Sequence, residues 1–134
     1  MTLIEVVIAL AITGLMVAGI VSGYMFCTTS TVKDSLYMAA NTRAMERLEE
    51  TRSAIWAPYR ATPVDELVAT NFTNQVVTLD LAPSDPTATT ATLITTISQI
   101  STSPAVREVH VDCVWQFRDA TITNSIETAR APDQ

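Results

Sequence analysis

The chain is 134 residues long, which allows one domain and little else. Hydrophobic residues make up 48% and charged residues 16%, and the apolar excess is local: no charged side chain stands between Glu5 and Lys33. A protein soluble throughout is thereby excluded, as is a large multidomain enzyme. The net charge of −6 belongs to residues 61–134, where nine acids face only Arg107, Arg118 and Arg130. Nucleic-acid binding is driven by Lys and Arg neutralising phosphates, so no nucleic-acid partner is expected for this half.

The first predicted element is a helix over residues 2–57. Its opening stretch, MTLIEVVIALAITGLMVAGIVSGYMF, has the roughly 20 apolar residues that cross a bilayer. It lacks the basic leader and small-residue cleavage site of a secretory signal peptide, and its abrupt start reads as a mature chain whose leader has been removed. The helical period then continues. Val32, Leu36, Ala40, Ala44, Leu48 and Ile55 fall at four- and seven-residue spacings, an apolar stripe. Arg43, Glu46, Arg47, Glu49, Glu50 and Arg52 lie between them, with opposite charges three apart that support a helix. Arg43, Glu46, Arg47, Glu49 and Glu50 are candidates for ion pairs between subunits, and solvated pairs within the helix are the preferred reading of them. Pro58 ends the element, because the residue before a proline is pushed out of the helical region. The chain thus divides into a hydrophobic transmembrane or filament-core helix over 1–28 and a head over 29–134.

Glu5 is out of place in so apolar a segment, where a carboxylate costs about 2.5–3.5 kcal/mol and normally has a partner. One reading is a capping box, Thr2-x-x-Glu5, with the carboxylate answering amides of the first turn. The preferred reading is that Glu5 meets a positive charge from another chain. In a bundle of identical helices, that charge is a neighbour's terminal amine at Met1. Gly19 and Gly23 form a G-x-x-x-G pair that lets helices approach closely. Each glycine also weakens a helix interior by about 1 kcal/mol relative to alanine, so Gly14, Gly19 and Gly23 mark 14–23 as the weakest segment.

Met-Thr-Leu-Ile-Glu-Val at the start, with Glu5 and the apolar helix behind it, resembles the type IV pilin superfamily, which includes pilus subunits and type II secretion pseudopilins. The resemblance is specific over residues 1–25 and architectural beyond. It implies that a prepilin peptidase cuts before Met1 and methylates its α-amine, and that Glu5 neutralises an adjacent subunit's terminus during assembly. It also implies unwinding over 14–23 in the filament, a continuous helix being the alternative. Two departures stand out: Met1 replaces the usual Phe, as in minor subunits, and Ser22 stands where a proline is common.

After Pro58, Thr62-Pro63-Val64-Asp65 reads as an N-cap with proline at the first helical position, giving a short helix over 63–69. Gln75 to Leu81 is a strand, broken by Ala82-Pro83-Ser84-Asp85-Pro86. Leu93 to Ile100 is a second. Val106 to Phe117 is the best, with Val109, Val111, Cys113, Trp115 and Phe117 alternating with Glu108, His110, Asp112 and Gln116. Thr121 to Thr128 pairs behind it across Arg118-Asp119-Ala120. The expected fold is α+β: one long N-terminal helix whose C-terminal half packs on an antiparallel sheet of three or four strands, covered by the Val32–Ile55 stripe. The V-x-V-x-C-V-W run and the strand after it are similar to the C-terminal hairpin of minor-type pilins.

No catalytic constellation is expected, and no metal or cofactor. His110 is the only histidine and is read as exposed on the strand's polar face. One His and two Cys far apart make no zinc spacing, and without a glycine after Gly23 there is no phosphate loop. The threonine-rich stretch Thr87–Thr102 is read as strand propensity, and Asn71-Phe72-Thr73 is a glycosylation sequon by pattern only. For Cys27 and Cys113, a bridge tying helix to sheet and a pair of free thiols are both consistent with the sequence.

The expected function is therefore structural: a homo-oligomeric type IV pilus-like filament subunit, held in the inner membrane before assembly and on the cell surface after it. The resemblance implies a prepilin peptidase and an assembly platform with its ATPase as partners. The runner-up is a minor pilin, or a minor pseudopilin that primes or caps a periplasmic pseudopilus. The third reading is a monomeric membrane-anchored binding domain.

Overall fold

The computed structural model describes residues 2–80 and 88–133. The chain divides into two units, Met1–Ser35 and Leu36–Gln134, and the helix α1, Leu3–Ser53, contributes to both.

In the first unit α1 buries nothing: no residue from Leu3 to Ser35 is buried, and the helix is long and apolar enough to cross a membrane. Four of its threonines are satisfied within the helix. The hydroxyls of Thr13, Thr28, Thr29 and Thr31 donate to the carbonyls of Ala9, Tyr24, Met25 and Cys27, at 2.7–2.9 Å. Such back-bonding answers these four threonine hydroxyls without water, which suits a segment surrounded by hydrocarbon.

The second unit begins where burial begins. Leu36, Ala40, Ala44 and Leu48, spaced four apart, are 0–5% exposed. The apolar stripe is shorter than expected, because Val32 and Ile55 are 46% and 42% exposed. The helix also stops at Ser53, short of residue 57. Two distant segments take its last backbone groups. Ile55 N donates to Glu66 Oε2 at 2.9 Å and Ile55 O accepts from Glu66 N at 2.8 Å. Trp56 N donates to Asp133 Oδ2 at 2.8 Å, and Asp133 N returns a bond to Trp56 O at 2.7 Å. Trp56–Ala57 is thereby drawn out as β1, antiparallel to β2, Val64–Asp65.

The short helix expected over 63–69 is not formed; β2 and a single 3-10 turn at Ala69–Asn71 replace it. Pro63 is a good helix start locally, but Arg107 holds Asp65 extended, its guanidinium donating to both carboxylate oxygens at 2.6 Å and to Leu67 O at 2.6 Å. Tertiary pairing here outweighs a local helix signal.

Four strands follow: β3 Gln75–Thr78, β4 Thr90–Thr102, β5 Ala105–Phe117 and β6 Ala120–Arg130, in the antiparallel order β3-β4-β5-β6. The last three outrun their expected limits, because each long strand is hydrogen-bonded along most of its neighbour. The first stops at Thr78, short of the expected Leu81, and Asp80 beyond it accepts from Thr89 N instead of continuing the ladder; Leu81 itself and the breaker Ala82–Pro86 lie outside the described residues. Along β5 the alternation holds: Val109, Val111, Cys113 and Trp115 are 0–2% exposed, while Glu108, His110, Asp112 and Gln116 take the other face. Arg118 turns the chain into β6 with φ 55°, a left-handed conformation that shortens the hairpin connection.

The core gathers Leu36 and Leu48 from the helix, Trp56, Leu67 and Phe72 from the connection, and Leu93 and Trp115 from the sheet. Asn124, 2% exposed, joins helix and sheet: its Oδ1 accepts from Trp115 Nε1 at 2.9 Å, and its Nδ2 donates to Asn41 Oδ1 at 3.1 Å and Tyr37 O at 3.4 Å. Arg130 makes a second tie, to Thr51 O at 2.6 Å. From Tyr37 to Thr51 in a helix, and from Asn124 to Arg130 in a strand, the rise is about 20 Å in each case. The C-terminal part of α1 therefore runs alongside β6 in the same direction. The head is an α+β, pilin-like layout: the C-terminal part of a long helix packed on an antiparallel sheet.

Candidate functional site

The only charged side chain in the first unit below Lys33 is Glu5, in the first turn of α1. Its Oε2 accepts from Thr2 N at 2.7 Å, while Thr2 O accepts from Glu5 N at 3.1 Å and Val6 N at 3.4 Å. This is the glutamate arm of a capping box, which satisfies an orphan donor at the helix start. The carboxylate remains exposed in the isolated chain. Met1, the expected processing site and partner group, lies outside the described residues. Helix α1 runs without a break through Gly14, Gly19 and Gly23, and nothing stands within 4 Å of where a Cβ would sit at any of them. Around Glu5 is a sleeve of exposed apolar side chains, among them Leu3 (84%), Leu15 (76%) and Ile20 (72%). Chemically this surface does one thing well: it leaves water for lipid or for other apolar helices.

The charged run on α1 closes on itself. Arg43 pairs with Glu46 at 2.8 Å, Arg47 with Glu50 at 2.7 Å and Arg52 with Glu49 at 2.6 Å, each three residues apart. Half-exposed pairs of this kind contribute little to stability. Arg47 departs from the surface reading. It is 9% exposed, its Nε donates to Thr95 Oγ1 at 3.2 Å and its Nη2 to Thr73 O at 2.6 Å, and its guanidinium lies 5.4 Å from the centre of the Phe72 ring. Its position three residues after Ala44, on the flank of the apolar stripe, was the available signal.

Both cysteines are free, Cys27 exposed in the first unit and Cys113 buried in the second. Cys113 is a core residue beneath the helix, and burial pushes its thiol above the usual range. No bridge ties helix to sheet. His110 is half-exposed rather than plainly exposed, with Nε2 2.9 Å from Asp112 Oδ1 and Nδ1 3.7 Å from Glu127 Oε2. Among the described residues no three His, Cys, Asp or Glu side chains are grouped to hold a metal. Asn71 of the sequon is exposed, with Nδ2 donating to Glu66 O at 2.8 Å.

Two carboxylates fasten the head. The Arg107 fork holds Asp65 below the usual carboxylate range, and the same guanidinium lies 4.5 Å above the Trp56 ring. Asp133 is lowered by the Trp56 N–H and then by Arg130. Beside it lies a largely apolar hollow of about 440 Å³ between Tyr59, Pro104, Val106 and Pro132; its one carboxylate, Asp133, is already committed to Trp56 and Arg130.

Set against family models, curated proteins and solved structures, the chain matches none of them.

Proposed function

We propose that this chain is a structural subunit of a type IV pilus-like filament, held in the inner membrane by residues 1–28 before assembly. One observation carries the reading: an exposed carboxylate, Glu5, the only charged side chain before Lys33, at the start of a helix that buries none of its apolar residues as far as Ser35. A hydrocarbon-facing anchor has no use for that charge, which costs about 2.5–3.5 kcal/mol in lipid. A bundle of identical helices matches it with the neighbouring Met1 amine, and the apolar sleeve becomes the shared core. The glycine-marked stretch 14–23 unwinds as the bundle forms, and the acidic heads line the outside.

The test is to shear surface filaments from the source cells, purify them and weigh the subunit intact. The expected result is a dominant species starting at Met1 with one methyl group added, about 14 Da. An unmethylated chain confined to membranes overturns the proposal in favour of a monomeric anchored domain. A second reading, a minor pilin or pseudopilin, is favoured by Met1 and the β5–β6 hairpin; it predicts the same processed chain as a trace component.

A further inference from the structure

His110 is the one histidine of the chain, and the sheet sets a carboxylate against each of its ring nitrogens. It is the direct register partner of Glu127 across β5 and β6, and Asp112, two residues further along β5, is the partner of Ser125. Val109, Val111, Cys113 and Asn124 point into the core, so these four side chains share the outer face. His110 Nε2 lies 2.9 Å from Asp112 Oδ1, and Ser125 Oγ donates to that same oxygen. His110 Nδ1 lies 3.7 Å from Glu127 Oε2. All of these groups stand on paired strands, which position them more firmly than loops would.

The two contacts of the ring differ in kind. A carboxylate only accepts, and a neutral imidazole carries a single N–H. The short contact with Asp112 claims that hydrogen for Nε2, which leaves Nδ1 with its lone pair. Nδ1 then faces a second acceptor, Glu127 Oε2, across a gap too long for a hydrogen bond. Two acceptors set face to face repel unless a cation lies between them. The gap has the size for one: a tetrahedral zinc, bonded to nitrogen and oxygen at about 2.1 Å, holds the two about 3.4 Å apart. The Glu127 side chain is 70% exposed and can turn through the difference without disturbing the strand. Behind the ring, Asp112 has the place of the carboxylate that fixes the tautomer of a metal-bound histidine. The donor set selects the metal. Imidazole nitrogen with a carboxylate suits zinc and its neighbours, whereas calcium and magnesium take oxygen ligands.

We propose that His110 Nδ1 and Glu127 Oε2 hold a divalent metal ion of the zinc class on the outer face of the head, with Asp112 and Ser125 orienting the ring. There are two protein ligands instead of the four of a closed structural site, so water completes the coordination and the ion exchanges. The site stands apart from the filament reading and does not depend on assembly.

The experiment is calorimetric titration of the full-length chain in maltoside micelles with zinc chloride, on a Cys27→Ser background that removes the exposed thiol. The expected result is one zinc ion per chain, with no competition from magnesium or calcium. His110→Gln should abolish binding, while Glu127→Gln and Asp112→Asn should each weaken it about 10- to 100-fold. Glu108 supplies the control. It shares the outer face, but its Oε2 takes the Ser98 hydroxyl at 3.3 Å, and Glu108→Gln should leave the affinity nearly unchanged. Circular dichroism of each variant checks that the sheet is intact. Binding that survives His110→Gln, or that Glu108→Gln weakens as much as Glu127→Gln does, overturns the proposal in favour of diffuse attraction to an acidic face. No zinc uptake at millimolar concentration overturns it as well, and leaves a second proton on the ring as the cation between the two acceptors.

Discussion

One helix, α1, contains two regions with opposite sources of stability. Over Leu3–Ser35 it has 33 residues and no buried side chain, while over Leu36–Ser53 a stripe of four apolar residues, with Arg47 and Thr51 beside it, is buried against the sheet. The backbone is the same in both. The first region keeps its hydrogen bonds to itself and exposes a surface that water does not favour; the second draws its stability from packing. The difference teaches that helix content by itself says nothing about which part of this chain folds alone.

The sharpest way to break the comparison is to truncate one leucine in each region. Leu48→Ala should cost the head about 2–5 kcal/mol, because the helix cannot close the gap. Leu15→Ala, which contacts nothing in the isolated chain, should change head stability by less than about 0.5 kcal/mol. Urea unfolding of the full chain in micelles, followed by near-ultraviolet circular dichroism, measures both. Equal effects would mean the two regions are not separate.

Next is Glu5→Gln. Removing the charge should lower filament yield by about a hundredfold, corresponding to 2.5–3.5 kcal/mol, and leave the head's unfolding midpoint unchanged. Quantitative immunoblotting of sheared filaments against total cell protein reads this. A variant that assembles normally would make the cap with Thr2 the whole role of Glu5.

Asn124→Leu comes third. It leaves the Trp115 indole N–H and the Asn41 side chain without their buried partner, at an expected cost of about 1–3 kcal/mol. Asn41→Ala should cost less, because Trp115 keeps its acceptor.

How much of this was legible beforehand depended on whether the deciding contact was local. The alternation from Val109 to Trp115 is a property of the strand itself and could be read directly. So could Leu36, Ala40, Ala44 and Leu48 as a buried stripe. Arg47 could not be read from its charge, because its place is set by Thr73 and Thr95, far away in sequence. The helix end was misplaced for the same reason. Pro58 says only that the helix stops before it, whereas Glu66 and Asp133 decide that it stops at Ser53. Of the candidate site, Glu5, its cap on Thr2 and the apolar sleeve were all legible, because each is set by residues within one turn.

Smaller effects sharpen the comparison further. Gly19→Ala places a methyl group in open space and should stabilise the helix by about 1 kcal/mol. If 14–23 unwinds on assembly, filament yield should fall roughly fivefold while helicity in micelles stays the same or rises. Acid should act on the head alone, and weakly. Asp65 and Asp133 are both lowered in the folded state. Their contribution is therefore complete above the unfolded value of about 4 and is lost as pH falls through the folded values. The unfolding midpoint should be flat from neutrality to about pH 5 and decline below about pH 4, and Asp65→Asn should blunt the decline.

The two ties between α1 and β6 have a mechanical consequence. A pull along the helix reaches the sheet through Asn124 and Tyr37 at one level and through Arg130 and Thr51 at another. Because strand and helix run side by side, the ties are loaded in shear and share the force, instead of parting one after another like a zip. Under a pull along the helix, the head would resist as one piece.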